Sequence, residues 1–119
     1  MIFNKPVIIT SKYLPMEPFE AFTFFPFIVC RIPYQENVAL INHETVHWKE
    51  QQIVTPFWWL AKYVFSKKFR YAAELRAYAV QCKTPNGPPV ERVANLLATG
   101  YHLNISYETV LADLTALVK

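Results

Sequence analysis

Neither proline nor glycine interrupts the chain between Pro33 and Pro56, and inside that stretch lies His43-Glu44-Thr45-Val46-His47. A run so free of breakers, with Ala39, Leu40, His43, Val46, His47 and Val54 near helical spacing, predicts one helix over about 38–54. Residues four apart stack on one helix face, so His43 and His47 can offer ring nitrogens to a single ion. Glu44, one step round the helix, points toward the same ion without lying in line with the histidines. That position suits a carboxylate that takes a proton from a metal-bound water. The bland alternative is an ordinary helix with two surface histidines, and the rest of the chain must decide.

A hydrolytic zinc site commonly uses three protein ligands and a water. Glu50 shares the histidines' face but lies seven residues past His43, roughly 10 Å along the axis at 1.5 Å per residue. One straight helix cannot bring both to one ion whose bonds are about 2 Å long. Glu50 is therefore expected behind the ligands or at the surface. The position at which metzincins carry a third histidine is Ile53 here, which excludes that class. The best remaining carboxylate is Glu74, on a later alanine-rich helix. There Tyr71, Glu74, Tyr78 and Gln81 share one face, and Leu75, Ala79 and Cys82 share another. Ala72, Ala73 and Ala77 would let that helix approach the first closely. Tyr71 or Arg70 would steady the carboxylate's free oxygen. The rivals for third ligand are His102 and Asp113, and an exposed Arg70–Glu74 pair is the plain alternative.

The fold expected is α+β, a short N-terminal sheet or hairpin packed on a helical bundle, in a single domain over 1–119. Val7 to Thr10 reads as a strand. Phe19 to Ile32 is strand-like but broken by Pro26, so a bulge, a bend or two strands is expected there. A loop over 33–37 precedes the motif helix, and the free edge of the β-rich stretch would lie beside it, open to an extended peptide. Pro56 opens a second helix. Phe57 to Phe65 is apolar nearly all round, fitting either a buried helix or a surface patch for a membrane or partner, rimmed by Lys62, Lys67 and Lys68. Helices follow over about 69–82, over 90–99 up to Gly100, and from an N-cap at Ser106 to Val118.

His43-Glu44-x-x-His47 followed by Glu74-x-x-Ala77 on a later helix resembles the gluzincin metallopeptidases. More narrowly, His-Glu-x-x-His-x-x-x-Gln, an aromatic helix and then Glu-x-x-Ala-Tyr is similar to small single-domain zinc peptidases of phages and bacteria. The resemblance covers about Leu40 to Gln81. It implies Zn²⁺ held by His43, His47 and Glu74, with Glu44 as general base in peptide-bond hydrolysis. Tyr78, one turn past Glu74, is the first candidate to stabilise the oxyanion, followed by Tyr71 and His102. The chain departs from larger gluzincins in lacking their second lobe. A non-catalytic relative docking a partner through the aromatic patch, or a structural metal domain, is the competing reading.

Composition narrows the rest. A chain of 119 residues that is 53% hydrophobic can bury a core, which excludes a disordered tail. The formal charge of +3 and one small cluster, Lys67, Lys68 and Arg70, give no case for nucleic acid. Cys30 and Cys82 are isolated and read as reduced thiols. With no signal-peptide pattern at Met1 and no apolar run near the roughly 20 residues a spanning helix needs, a cytoplasmic location is expected.

Overall fold

The computed structural model describes residues 4–12, 20–31 and 37–119. Among them the order is β1 (Val7–Ser11), β2 (Ala21–Phe24), β3 (Phe27–Arg31), α1 (Val38–Val54), α2 (Pro56–Phe65), α3 (Lys67–Lys83), α4 (Val90–Thr99) and α5 (Tyr107–Val118). The architecture is α+β, with a three-stranded sheet at the N-terminal end packed against helices.

The strands sit in the order β1-β3-β2, with β1 parallel and β2 antiparallel to β3. The break expected at Pro26 is a hairpin: Phe24 pairs with Phe27, and Phe25-Pro26 forms the turn. Proline has no N–H for a ladder, and a turn is where that omission costs least. Thr23, Ile28 and Cys30 are buried on the sheet face toward α1, whereas Val7, Ile9, Phe22 and Phe27 on the other face are each about two-fifths exposed.

Helix α1 has the expected bounds, and Asn37 caps it, its side chain accepting from the Leu40 N–H. Its buried stripe runs through Leu40, His43, Glu44, His47, Trp48 and Gln51. Val46 and Val54, counted with that stripe from spacing, stand only partly buried, because polar side chains with partners occupy the inner face instead. Only Thr55 separates α1 from α2, and it closes both helices. Its N–H bonds the Gln51 carbonyl and its hydroxyl accepts from the Trp58 N–H. Thr55 does so at φ 79 and ψ 147, a conformation rare for any side chain and worst for a β-branched one. The two caps hold this corner, and it turns α2 back over the motif helix.

Helix α3 begins at Lys67 rather than at about Phe69, since the Ser66 hydroxyl caps it by accepting from the Phe69 N–H. It is the central helix. It packs on α1, and its Ala73 and Ala77 are fully buried, while Ala79 joins Val93, Ala94, Leu97, Leu103, Val110 and Leu114 in the main apolar cluster with α4 and α5. Ser106 caps α5 as expected. Gly100 stops α4 without a left-handed turn (φ −103). A Cβ there would stand 2.8 Å from the Leu96 carbonyl oxygen, and the left-handed residues come later, at His102 and Asn104. No helix among the described residues is long and apolar enough to cross a membrane, and both cysteines are free.

Candidate metal centre

Helices α1 and α3 pack on one another, and Glu74 of α3 ends between the two histidines of α1. Glu74 Oε1 lies 3.1 Å from Nε2 of His43 and 3.1 Å from Nε2 of His47. All three side chains are buried, and their donor atoms lie within 4.8 Å of one another. Four ligands at about 2.0–2.1 Å in a tetrahedron stand roughly 3.3 Å apart, so the nitrogen–oxygen spacing fits such an ion. Two imidazole nitrogens and one carboxylate oxygen form a donor set that suits a borderline divalent metal.

The residues behind the donors fit the same purpose. Tyr63 of α2 donates its phenol hydrogen to Oε2 of Glu74, leaving Oε1 for the histidines. Burial first, and then the Glu74 charge, push the Tyr63 phenol well above its ordinary range, so it stays a donor. Glu50 Oε1 stands 3.6 Å from Nδ1 of His47, inside ion-pair range and beyond hydrogen-bond length. Trp59 Nε1 (3.1 Å) and Arg76 Nε (2.7 Å) donate to the Glu50 carboxylate and fix it there. Burial would raise Glu50, but His47 and Arg76 outweigh it and hold the carboxyl below its usual range. Glu50 thus stands behind His47, where metal sites commonly carry a carboxylate. Among the described residues, Nδ1 of His43 and Nδ1 of His47 have no hydrogen-bond partner.

Glu44 stands beside the cluster, its Oε2 3.7 Å from Nε2 of His43 and its Oε1 accepting from the Thr23 hydroxyl at 2.9 Å. Burial pushes the Glu44 carboxyl up, against the pull of His43 and His47. Glu74 goes the other way. Burial would raise it, but hydrogen bonds from His43 and His47 hold it far below the usual carboxylate range. The two carboxylates are thus driven apart, one toward holding a proton and one toward staying charged.

Tyr78 packs its ring against His43, centroids 4.3 Å apart, and its hydroxyl is 2.7 Å from that of Tyr101. The other residues considered from sequence lie elsewhere. Tyr71 donates to Asp113 at 2.6 Å and so joins α3 to α5. His102 is exposed, its carbonyl accepting from Arg70. Arg70 does not pair with Glu74. It donates to the carbonyls of Tyr63, Val64 and Tyr101, which pins the end of α2 and so steadies Tyr63 from behind.

Four participants carried no role in the sequence reading. Tyr63 and Trp59, four apart on α2, are the polar handles on the inner face of an otherwise apolar helix, and that spacing was the available signal. Thr23 is the one hydroxyl amid Phe22, Phe24 and Phe25. Gln51 uses both ends of its amide: Oε1 accepts from the Phe25 N–H at 2.7 Å and Nε2 donates to the Thr23 carbonyl at 3.0 Å. The strand edge expected to be open to a peptide is already paired at this end. Comparison with protein-family models, with curated protein sequences and with solved structures returned no match.

Proposed function

We propose that this chain is a zinc-dependent peptidase of gluzincin type, in which His43, His47 and Glu74 hold the metal and Glu44 is the general base. The carrying observation is the convergence of two Nε2 atoms on one Glu74 oxygen, with Glu44 beside them and a tyrosine and a carboxylate behind them. When bound, zinc supplies Lewis acidity and a water acidic enough to lose a proton near neutral pH. Glu44 is placed to take that proton and hand it to the leaving amine, and burial suits it by raising its basicity. Thr23 keeps the Glu44 carboxylate in one rotamer. Tyr78, beside His43, is the donor proposed for the oxyanion, on releasing its bond to Tyr101.

A second reading rests on the depth of the cluster. His43, His47, Glu44 and Glu74 are all nearly out of solvent, as befits a metal that only staples α1 to α3. Glu44→Gln separates the two. The amide keeps the size and hydrogen bonding of the side chain but is no base near neutral pH. A peptidase keeps its zinc in this variant and loses hydrolysis of a casein or peptide-library substrate. Wild-type protein that carries stoichiometric zinc and cleaves nothing in such a screen would support the staple.

A further inference from the structure

Helix α2 has two apolar faces, and only one of them is used inside the protein. Trp59 and Tyr63 turn inward to the metal centre. On the opposite face Phe57 is 76% exposed, Trp58 58%, Val64 57% and Phe65 88%, with Leu60 between them and Ile53 of α1 at 85%. Phe57 also meets Phe24 edge-on at 5.3 Å, so the surface continues onto the end of β2. Leaving so many large adjacent apolar side chains in water marks an interaction surface.

The charge around the patch selects the partner. From Gln51 to Ala73 the chain holds no acidic residue, while Lys62, Lys67, Lys68 and Arg70 all fall in it. Arg70 is occupied with backbone carbonyls, and the three lysines are exposed. Lys62 lies over the Trp58 ring at 5.8 Å, its stem along the aromatic surface and its ammonium at the rim. A convex helix with phenylalanine and tryptophan at its crest and lysines at its border suits the headgroup region of a bilayer, where amphipathic aromatics and lysines both lie well. The helix has ten residues, about 15 Å at 1.5 Å per residue, enough to lie on a membrane and too short to cross one.

We infer that α2 is an interfacial anchor that seats this protein on anionic membrane, with Phe57, Trp58, Val64 and Phe65 in the lipid and Lys62, Lys67 and Lys68 on the headgroups. The inward face of the same helix carries Tyr63 and Trp59, so docking sets the metal centre just above the bilayer surface. Lipid binding stands whether or not the centre hydrolyses peptides.

The test is sedimentation of the full chain with phosphatidylglycerol–phosphatidylcholine vesicles and with pure phosphatidylcholine vesicles. Trp58 gives a built-in second readout, because Trp48 and Trp59 are buried. Expected are binding at least tenfold tighter to the anionic vesicles, loss of that margin in high salt, and quenching of fluorescence by brominated lipid. Phe57→Ser with Phe65→Ser should weaken binding about a hundredfold. Lys67→Glu with Lys68→Glu should weaken it at least tenfold on anionic vesicles only. Both pairs should keep the circular dichroism of the wild type, since all four side chains are exposed. No sedimentation with anionic vesicles, equal binding to neutral ones, or binding indifferent to both variants would overturn the inference. So would a dimer of the wild type, abolished by Phe57→Ser with Phe65→Ser, in a protein that ignores lipid. That result would make the face an interface between copies.

Discussion

Tyr63 and Glu74 meet through one oxygen each: the phenol donates to Oε2 of the carboxylate, and Oε1 is thereby left to face both His43 and His47. The carboxylate is held from outside the helix that carries it, by α2 folded back over α1 at Thr55. A carboxylate free to rotate would present either oxygen. Tyr63 removes that freedom before any ion arrives, which is how outer residues add to metal affinity.

Tyr63→Phe tests this. The ring stays stacked on Trp59 at 5.0 Å and only the hydroxyl is lost. Zinc affinity, read by competition with a chromogenic chelator, should fall roughly 10- to 100-fold with the fold intact. Unchanged affinity would show that the α1–α3 packing orients Glu74 unaided.

Glu74 itself should matter more. Glu74→Gln removes a charged ligand and should weaken zinc by tens-fold or more, and the rise in melting temperature on adding zinc should shrink with it. His102→Ala and Asp113→Ala should leave both untouched, since His102 is exposed and Asp113 is engaged by Tyr71. Zinc lost with His102→Ala and retained with Glu74→Gln would move the site to three histidines.

Much of this arrangement was legible in the residues, for reasons that also explain the rest. His43 and His47 share a helix face through i, i+4 spacing and Glu44 stands one step round from it, which sequence carries directly. Glu74 was reachable because Ala73 and Ala77 signal close helix packing. The corner at Thr55 was not, because φ 79 at a threonine runs against local preference and exists only through the caps on either side. Tyr63, Thr23 and Gln51 reach the site across 11, 21 and 26–28 positions. Such meetings depend on how elements pack, and no local pattern encodes them. The helix starts at Asn37 and Ser66 turned on single capping hydrogen bonds, which move a boundary by a residue or two.

On the proposed reading zinc competes with a proton, and the sign of that competition follows from His47. Burial alone would lower its pKa, but the Glu50 and Glu74 carboxylates outweigh burial and raise it from 6.5 to about 10 in the metal-free chain. A pKa raised on folding stabilises the metal-free fold fully below the unfolded value of 6.5, and that gain is lost as pH climbs through about 10. Binding of zinc to Nε2 expels the proton. Affinity should therefore rise with pH across this interval, by up to about tenfold per unit for one proton displaced. Chelator competition at a series of pH values reads this directly, and a flat profile from 6.5 to 9 would mean that His47 is already neutral before zinc arrives.

Gln51 gives the last prediction, because it ties the sheet to the base. The residue is 1% exposed, and its amide bonds β2 at the Thr23 carbonyl and the turn after it at the Phe25 N–H. The same Thr23 donates its hydroxyl to Glu44. Gln51→Leu fills the space but leaves the Thr23 carbonyl buried without its donor, at about 1–3 kcal/mol, and removes the part-buried bond to the Phe25 N–H, at about 0.5–1.5 kcal/mol. A loss of roughly 1.5–4.5 kcal/mol in unfolding free energy is expected, large against the roughly 5–15 that a domain of this kind commands. Thr23→Val should cost less, near 1–2 kcal/mol, since it removes one hydroxyl donor, shared between the carboxylate and the carbonyl of Glu44. Neither change touches His43, His47 or Glu74, so zinc affinity per folded molecule should hold within a few-fold in both. Denaturant unfolding with zinc titration on the same samples separates the two quantities. If Gln51→Leu unfolds at the wild-type midpoint, the amide does not fasten β2 to α1, and Thr23 must owe its place beside Glu44 to packing alone.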